Sequence, residues 1–408
     1  MLHVAHILRK FNASEWGGTE THVAEVTARL GVHGYRATVY APRGPAGRGR
    51  LAQDVAIQRY RAFTPFVGDA DTRRGLVANG GNIASLELLW QLWRAPDIAL
   101  AHLHTGKRIG GSARTAMRLR GRPYVVSLHG PVFADAAWMA EETAKRYRGL
   151  VDIGQPIGLL LGSRRVLADA ARVICFNDAE YRELQTRVGA RAVRFDHGVD
   201  AARFAAGDPA RLFARWPDLR GRRIIALVGR VCRQKNQMLA VRAFAAGAPE
   251  DTCLVLAGGQ TDVGYAQLVE DEIRALGIGA RVTWLGNLAP EDVPDLLCAA
   301  ELVLVPSTQE AFGMAVAEAW AAGRPVLFAR RSGLADIARS LADPEPALTS
   351  LEVEDWARAI AAMCARLDRR LAARADGARV VAERFDWSRH AARLAALYRD
   401  VVAEAQAT

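Results

Sequence analysis

The residues best suited to handle a phosphate and a polyol lie between Leu302 and Val326, LVLVPSTQEAFGMAVAEAWAAGRPV. Two carboxylates, Glu310 and Glu318, flank the run Phe312-Gly313-Met314 there. The apolar stretch Leu302 to Val305 reads as a buried strand that ends at Pro306, and the polar loop from Ser307 to Glu310 follows it. A helix then opens near Ala311–Gly313. Its positions Met314, Val316, Ala317, Ala319 and Trp320 leave almost no polar face, so it is expected to be buried. A carboxylate such as Glu318 in a helix of that kind is costly unless something satisfies it. Gly323 marks the helix stop, and Arg324-Pro325 leads into a further apolar strand, Val326 to Ala329.

Strand, loop, helix, strand in that order puts the loop where an α/β sheet presents its ligand crevice. The amides of Phe312, Gly313 and Met314, at the positive end of the helix dipole, suit a phosphate. Glu318, pointing back toward that end, is placed to accept from two hydroxyls of a ribose, with Glu310 meeting a second polyol. The plainer reading stays open beside this one: a buried helix with one capped and one paired glutamate.

The segment resembles the E-x7-E signature of the retaining, nucleotide-sugar-dependent glycosyltransferases of family 4. That resemblance implies that Glu310 contacts the donor sugar and Glu318 the nucleotide ribose. Further segments carry the same likeness. After the strand Arg223 to Val228, the run GRVCRQKNQ sets Arg230 and Lys235 at a strand end, where they are similar to the family's diphosphate clamp. WLGNL resembles the loop whose backbone holds the base edge, which makes Leu288 a candidate. Near the start, a strand from His3 to Leu8, the glycine pair Gly17-Gly18, a helix and the strand Tyr35 to Tyr40 form a Rossmann-like unit without the full G-x-G-x-x-G. GGTE there resembles the family's first-loop GGxE, implying that Gly17 and Gly18 let the backbone approach the donor phosphate or the acceptor.

Histidines mark two more strand ends. Asp97 to Leu103 is a strand with His102 and His104 at its close, and Tyr124 to Leu128 ends in His129-Gly130. No Cys, Asp or Glu cluster completes a metal site with them; a strand-end His followed by Gly suits a hydrogen bond to a substrate hydroxyl, but by themselves they read first as capping or core histidines. The resemblance places His104 and His129 on the acceptor side, and counts His129 with Glu310, Arg230 and Lys235 in the catalytic set. Asp69 and Asp71 form a D-x-D, but no apolar strand leads into it, so it reads as a solvated turn. Gly198 in VRFDHGVD fits the family pattern, whereas Asp196-His197 departs from it. Gly333 and Asp336 stand where the family often has a Gly followed by a Glu, and the segment LADPEPALTS does not follow the pattern.

At 408 residues the chain has room for two or three domains with cores of their own. A composition of 50% hydrophobic and 24% charged residues is that of a globular protein. The opening MLHVAHILRK lacks a signal-peptide pattern, and no apolar run approaches the ~18 residues of a membrane span. Five scattered cysteines without CxxC spacing read as buried thiols in a reducing cytoplasm. The net charge of +10 is uneven: residues 1–200 hold 28 Lys and Arg against 18 Asp and Glu, and the remainder 26 against 26. Residues 42–50 read as a flexible basic loop, and an apolar helix is expected near Leu86–Trp93.

The resemblance implies the GT-B fold, an α/β architecture of two Rossmann-like domains facing across a deep cleft. Residues 1–199 would form the acceptor-side domain and 200–384 the donor-side domain. A terminal helix, 385–408, would cross back to the first. The implied activity is retaining transfer of a sugar from a UDP- or GDP-sugar to a saccharide or polyprenyl-diphosphate-linked acceptor in bacterial surface polysaccharide synthesis. No cofactor, no metal and no nucleic acid are expected. The basic first half fits an anionic membrane surface, so the expected place is the cytoplasm, peripheral to the inner face of the plasma membrane. The alternatives are a sugar-nucleotide epimerase on the same fold and a nucleotide-sugar-binding protein without turnover.

Overall fold

Short apolar runs become strands throughout this chain, and the helices between them make nearly every connection a parallel crossover. The computed structural model describes residues 1–12, 16–44, 47–67, 82–130, 151–342 and 346–407, less the side chains of 367 and 368. Asp69 and Asp71 lie outside the described residues, as does part of the segment after Leu341. Contacts divide the chain into one unit of Met1–Phe195 with Ser388–Thr408 and a second of Asp196–Trp387.

In the first unit, β1 (Leu2–Ile7), β2 (Tyr35–Pro42), β3 (Ala56–Tyr60), β5 (Ile98–Leu103), β6 (Tyr124–Ser127), β8 (Arg172–Cys175) and β9 (Ala192–Arg194) form a parallel sheet. Its order is β3-β2-β1-β5-β6-β8-β9, and β4 (Phe66–Val67) pairs antiparallel with β7 (Val151–Asp152) beside it. Helices cover both faces, which is why β5 is buried at every position and reads as a continuous apolar run. The helix Trp387–Ala407 belongs to this unit from Ser388 onward. It buries Ala391, Leu394, Ala395, Tyr398 and Val401, and the Tyr35 hydroxyl donates to the Ala395 carbonyl at 2.9 Å. Its neighbour Ala392 is exposed, because Ala391 occupies the inward register.

The second unit repeats the scheme with β10 (Arg223–Val228), β11 (Thr252–Ala257), β12 (Val282–Gly286), β13 (Ala300–Val305), β14 (Val326–Ala329) and β15 (Ala347–Leu348). All pair in parallel, in the order β12-β11-β10-β13-β14-β15. In both units the chain leaves the first-formed strand on one side and returns on the other. The points of reversal are β1/β5 and β10/β13, where an open sheet leaves a crevice beyond the carboxyl ends of its strands.

Two expectations need correcting. The segment 42–50 is tied down at its described basic residues: Arg48 donates to the Ala52 carbonyl at 2.6 Å and Arg50 to Glu25 at 2.8 Å. Four of the five cysteines are buried free thiols, but Cys232 is only half-buried, because it sits in the loop that leaves β10 rather than in the core.

Candidate functional site

Each unit gathers polar side chains at its point of strand reversal. In the second, β10 ends at Val228 and its loop carries Arg230 and Lys235, while β13 ends at Val305 and its loop carries Glu310. The two loops are joined. The Thr308 amide donates to the Gln234 carbonyl at 2.9 Å, and the Gln234 side chain donates to the Gln309 carbonyl at 2.8 Å. Lys235 Nζ donates to Glu310 Oε1 at 2.5 Å, with the two side chains only 16% and 12% exposed. The cation predicted to meet a diphosphate and the carboxylate predicted to meet the sugar are therefore bonded to each other. Breaking that largely buried pair by removing one partner is costly, and an incoming ligand anion must compete with Glu310 for Lys235.

Arg230 is exposed, and its carbonyl accepts from the Gln237 side chain at 3.0 Å. Glycines let the strand ends beside it approach closely. Gly258, just past β11, has φ +151°, and a Cβ there would lie 2.0 Å from the Gly229 carbonyl oxygen. Its amide donates to the Gly286 carbonyl at 2.7 Å, which draws in the end of the edge strand β12. Leu288 follows two residues later, half-buried.

The helix expected to open near Ala311–Gly313 runs Met314–Ala321, with Gly313 as its N-cap at φ +106°. That angle is left-handed and cannot continue a helix, so the helix starts one residue later. A Cβ on Gly313 would meet Leu334 Cδ2 at 2.3 Å, which closes this position to any side chain. Of the three amides expected to face an anion, only that of Met314 lies in the first turn. Phe312 precedes it, and its ring packs against His197 and Phe385, 5.3 and 5.0 Å between centroids. No side chain caps this terminus, and Val316 donates to the Gly313 carbonyl at 3.0 Å. Glu318, four residues beyond Met314 and on the same face, is half-buried rather than buried, so its desolvation is milder than the apolar sequence suggests. Gly323 stops the helix at φ +66°, with the Arg324 amide returning to the Ala319 carbonyl at 2.8 Å.

In the first unit, Gly17 is the N-cap and Gly18 the first residue of helix Gly18–Leu30. The Glu20 carboxylate turns back to accept from the Gly17 and Glu20 amides, and burial raises its pKa. A Cβ on Gly17 would lie 3.0 Å from Glu20 Oε2. An anion approaching this glycine pair competes with the helix's own carboxylate, a contact that the GGTE pattern does not reveal.

The histidines come together. His104 follows β5 and His129 follows β6, and their Nδ1 and Nε2 are 2.8 Å apart. His6, on β1, sets its Nδ1 3.1 Å from His104 Nε2. His102 lies between the Tyr398 hydroxyl at 2.5 Å and the Ser127 hydroxyl at 2.7 Å. The His22 ring stands 4.8 Å from that of His129 and 5.0 Å from that of His390. Sequence reasoning singled out only the histidines at strand ends. It passed over His6 inside a strand and His22 and His390 on helices, because nothing local distinguishes them from core histidines; their common signal is chain-wide, six of nine histidines in one place.

Three of these imidazoles, His6, His102 and His129, are held neutral. Burial depresses His6 to about 3. His129 is also lowered to about 3, by burial and then by His390, and His102 goes well down for the same main reason, followed by His6, His129 and His390. The unfolded chain takes up protons on these groups below about pH 6.5, whereas the folded chain does not until about pH 3. Stability is therefore fully present above pH 6.5 and falls as pH drops through that window, by on the order of a few kcal/mol per group. Denaturant titrations at pH 7.5 and 5 should show the loss in wild type, and a smaller loss in His6→Phe; identical pH slopes would remove the histidines as its cause.

The chain is similar to known proteins over most of its length. A model described as "Glycosyltransferase Family 4" matches residues 16–203, and one described as "Glycosyl transferases group 1" matches residues 211–374. A D-inositol 3-phosphate glycosyltransferase of Nocardia farcinica is 31% identical over 304 residues, covering 72% of this chain and 64% of the relative. That of Rhodococcus jostii is 34% identical over 258 residues, covering 61% and 56%. The matched stretches thus span less than two thirds of these relatives' lengths. Among solved structures, Anabaena HepE in complex with UDP and glucose superposes with a TM-score of 0.75 at 18% identity, over 98% of this chain and all of that one. A sucrose-phosphate synthase from Thermosynechococcus elongatus gives 0.74 at the same identity, over 99% and 100%. At that identity the likeness speaks for the fold, which is GT-B.

Proposed function

The chain belongs to the glycosyl transferases of group 1, within glycosyltransferase family 4, and from that membership we propose that it transfers a sugar, with retention, from a nucleoside-diphosphate sugar to a hydroxyl acceptor. The observation that carries this is the Lys235–Glu310 bond, which joins the β10 and β13 loops beside a helix start led by Gly313. One cation, one carboxylate and one uncapped helix terminus stand where a diphosphate with a sugar on its end meets complementary charge at every part. The relatives named as D-inositol 3-phosphate glycosyltransferases favour a polyol phosphate as acceptor, and HepE, solved with UDP and glucose, favours a UDP-sugar as donor. A saccharide or polyprenyl-diphosphate-linked acceptor for surface polysaccharide is the second reading.

In the proposed reaction the glycosidic bond to phosphate loosens first. Negative charge grows on the departing diphosphate, and Arg230, Lys235 and the Met314 end of the helix stabilise it without a metal. Glu310, released from Lys235 as phosphate takes its place, accepts from the sugar hydroxyls, while Glu318 holds the ribose and Leu288 flanks the base. The acceptor attacks from the face the phosphate leaves, and a phosphate oxygen takes its proton. His129 orients the acceptor hydroxyl, and His104, whose ring nitrogens meet His129 and His6, holds the His129 ring in place.

The test is a titration of UDP-, GDP- and ADP-sugars, followed by turnover with and without acceptor, each repeated with chelator. Transfer that needs an acceptor and survives chelation supports the reading. Conversion of donor alone would make the protein an epimerase, and binding with no turnover toward any polyol or saccharide would make it a binding protein. The carboxylates separate within the same assay. Glu318→Gln is expected to weaken free nucleoside diphosphate about tenfold, whereas Glu310→Gln leaves that affinity unchanged or raises it, because Lys235 is freed, and impairs transfer. Equal losses of diphosphate affinity would remove the distinction.

A membrane surface is the proposed place of work. On helix Leu86–Arg94, Leu88 and Leu92 are buried while Leu86, Trp90 and Trp93 are 61%, 52% and 50% exposed, along one stripe. Exposed Leu119, Arg118 and Arg122 stand on and just beyond the neighbouring helix Lys107–Leu119. Aromatic residues beside cations suit the headgroup region, each cation near an anionic surface contributing about 1 kcal/mol. No helix among the described residues is long and apolar enough to cross a membrane. Co-sedimentation with anionic vesicles at low salt should fall at least tenfold in Trp90→Ser/Trp93→Ser; binding that ignores lipid charge and these residues would leave a soluble acceptor as the better reading.

A further inference from the structure

We propose that the first unit binds one divalent transition-metal ion of the zinc and copper class through ring nitrogens of His22, His104 and His129. Each of the three brings a ring nitrogen within 4.8 Å of the other two. They come from three separate elements, the helix after the glycine pair and the ends of β5 and β6, so the cluster is a product of the fold rather than of one sequence motif. Three imidazoles without a carboxylate or thiolate suit zinc, copper, nickel or cobalt and do not suit magnesium or calcium, which take oxygen ligands. This inference does not rest on the proposed transfer reaction.

The spacing is close to what an ion needs. His104 Nδ1 and His129 Nε2, 2.8 Å apart, share one proton between two lone pairs. Two nitrogens on a tetrahedral ion, at bond lengths of about 2.0–2.1 Å, stand about 3.3 Å apart. A small opening lets the ion take both lone pairs, with His129 passing to its Nδ1–H tautomer, so that both rings stay neutral and no proton is lost. His104 then keeps its Nε2 for His6 Nδ1 at 3.1 Å, and this outer contact sets the tautomer that ligation through Nδ1 requires. His6 is a positioning residue here. It is fully buried, and its Nε2 has no hydrogen-bond partner among the described residues. A buried polar network with one orphan nitrogen costs stability, so it is poorly accounted for as a core device. His22 is 1% exposed and His104 6%, while His129 is half-buried.

The experiment uses the full chain, stripped with chelator and titrated with Zn²⁺ by calorimetry. One ion per chain at micromolar affinity or tighter is expected, together with a Cu²⁺ electron paramagnetic resonance spectrum showing three nitrogens. His22→Asn and His129→Asn should each lose more than the roughly 10–100-fold that removal of an outer partner costs, while His33→Gln should bind as wild type. Should either variant fail to fold, the nitrogen count in the wild-type Cu²⁺ spectrum decides alone. Absence of a stoichiometric ion, a spectrum showing fewer than three nitrogens, or affinity unchanged in His22→Asn and His129→Asn overturns the site. Inhibition of transfer by Zn²⁺ is a separate arm: its failure with binding intact counts against an acceptor role for His129 and leaves the metal site standing.

Discussion

Arg230→Ala and Lys235→Ala should each lower kcat about 100-fold or more, because both cations meet charge that grows on the leaving diphosphate. The structure separates the two in every other respect. Arg230 is exposed and its removal should leave the melting temperature within error. Lys235 is bonded to Glu310 in a pair whose members are 16% and 12% exposed. Lys235→Ala strands a carboxylate with little access to water, at a cost of roughly 3 kcal/mol. The double variant Lys235→Ala/Glu310→Gln should regain most of that stability and none of the turnover. Single-turnover transfer and thermal melts on the four proteins provide both readouts. Unchanged kcat in both single variants would mean that the diphosphate lies elsewhere, and equal melting temperatures for Lys235→Ala and wild type would mean that the pair does not matter to the fold.

Gly258→Val should abolish nucleotide binding and destabilise the second unit, although residue 258 touches no proposed ligand. At φ +151° a β-branched side chain is strained, and its Cβ would lie 2.0 Å from the Gly229 carbonyl oxygen. Backbone is met there, so relief requires the Gly229–Arg230 turn to move away from β11, taking the loop that carries Lys235 with it. A cost of about 3 kcal/mol corresponds to a fall of roughly 6–12 °C in Tm for a unit of this size. Isothermal titration with UDP, below the variant's melting point, distinguishes a displaced clamp from simple unfolding. A folded Gly258→Val protein with wild-type affinity would show that this turn does not position the cations.

Much of this protein can be read from local pattern. Arg223–Val228 and Val326–Ala329 are strands at the residues where apolar runs meet Gly, Arg or Pro. Asn177 caps its helix as its type predicts, accepting from the Glu180 amide at 2.8 Å. The alternating elements give the two Rossmann-like sheets, and the resemblance of the Glu310–Glu318 segment to family 4 implies their GT-B arrangement. Around the candidate site, the reading slipped at one torsion and at one burial. The helix after Glu310 starts late because Gly313 is left-handed, and apolar neighbours in sequence made Glu318 look more buried than it is.

Hydrophobic periodicity and turn chemistry act over a few residues, so elements, caps and boundaries were already legible in the chain. Partnership between polar groups was not, because it depends on strand order, which no local period encodes. Lys235 and Glu310 are 75 residues apart and meet only because β13 inserts beside β10. His6 and His104, 98 residues apart, meet because β5 pairs with β1. The same pairing turns histidines that each pass for an ordinary core residue into one buried cluster. Residue types and spacing thus carried the resemblance and singled out Glu310 and Glu318 as candidates; the folded sheets decided which charges face one another and which histidine nitrogens gather in one place.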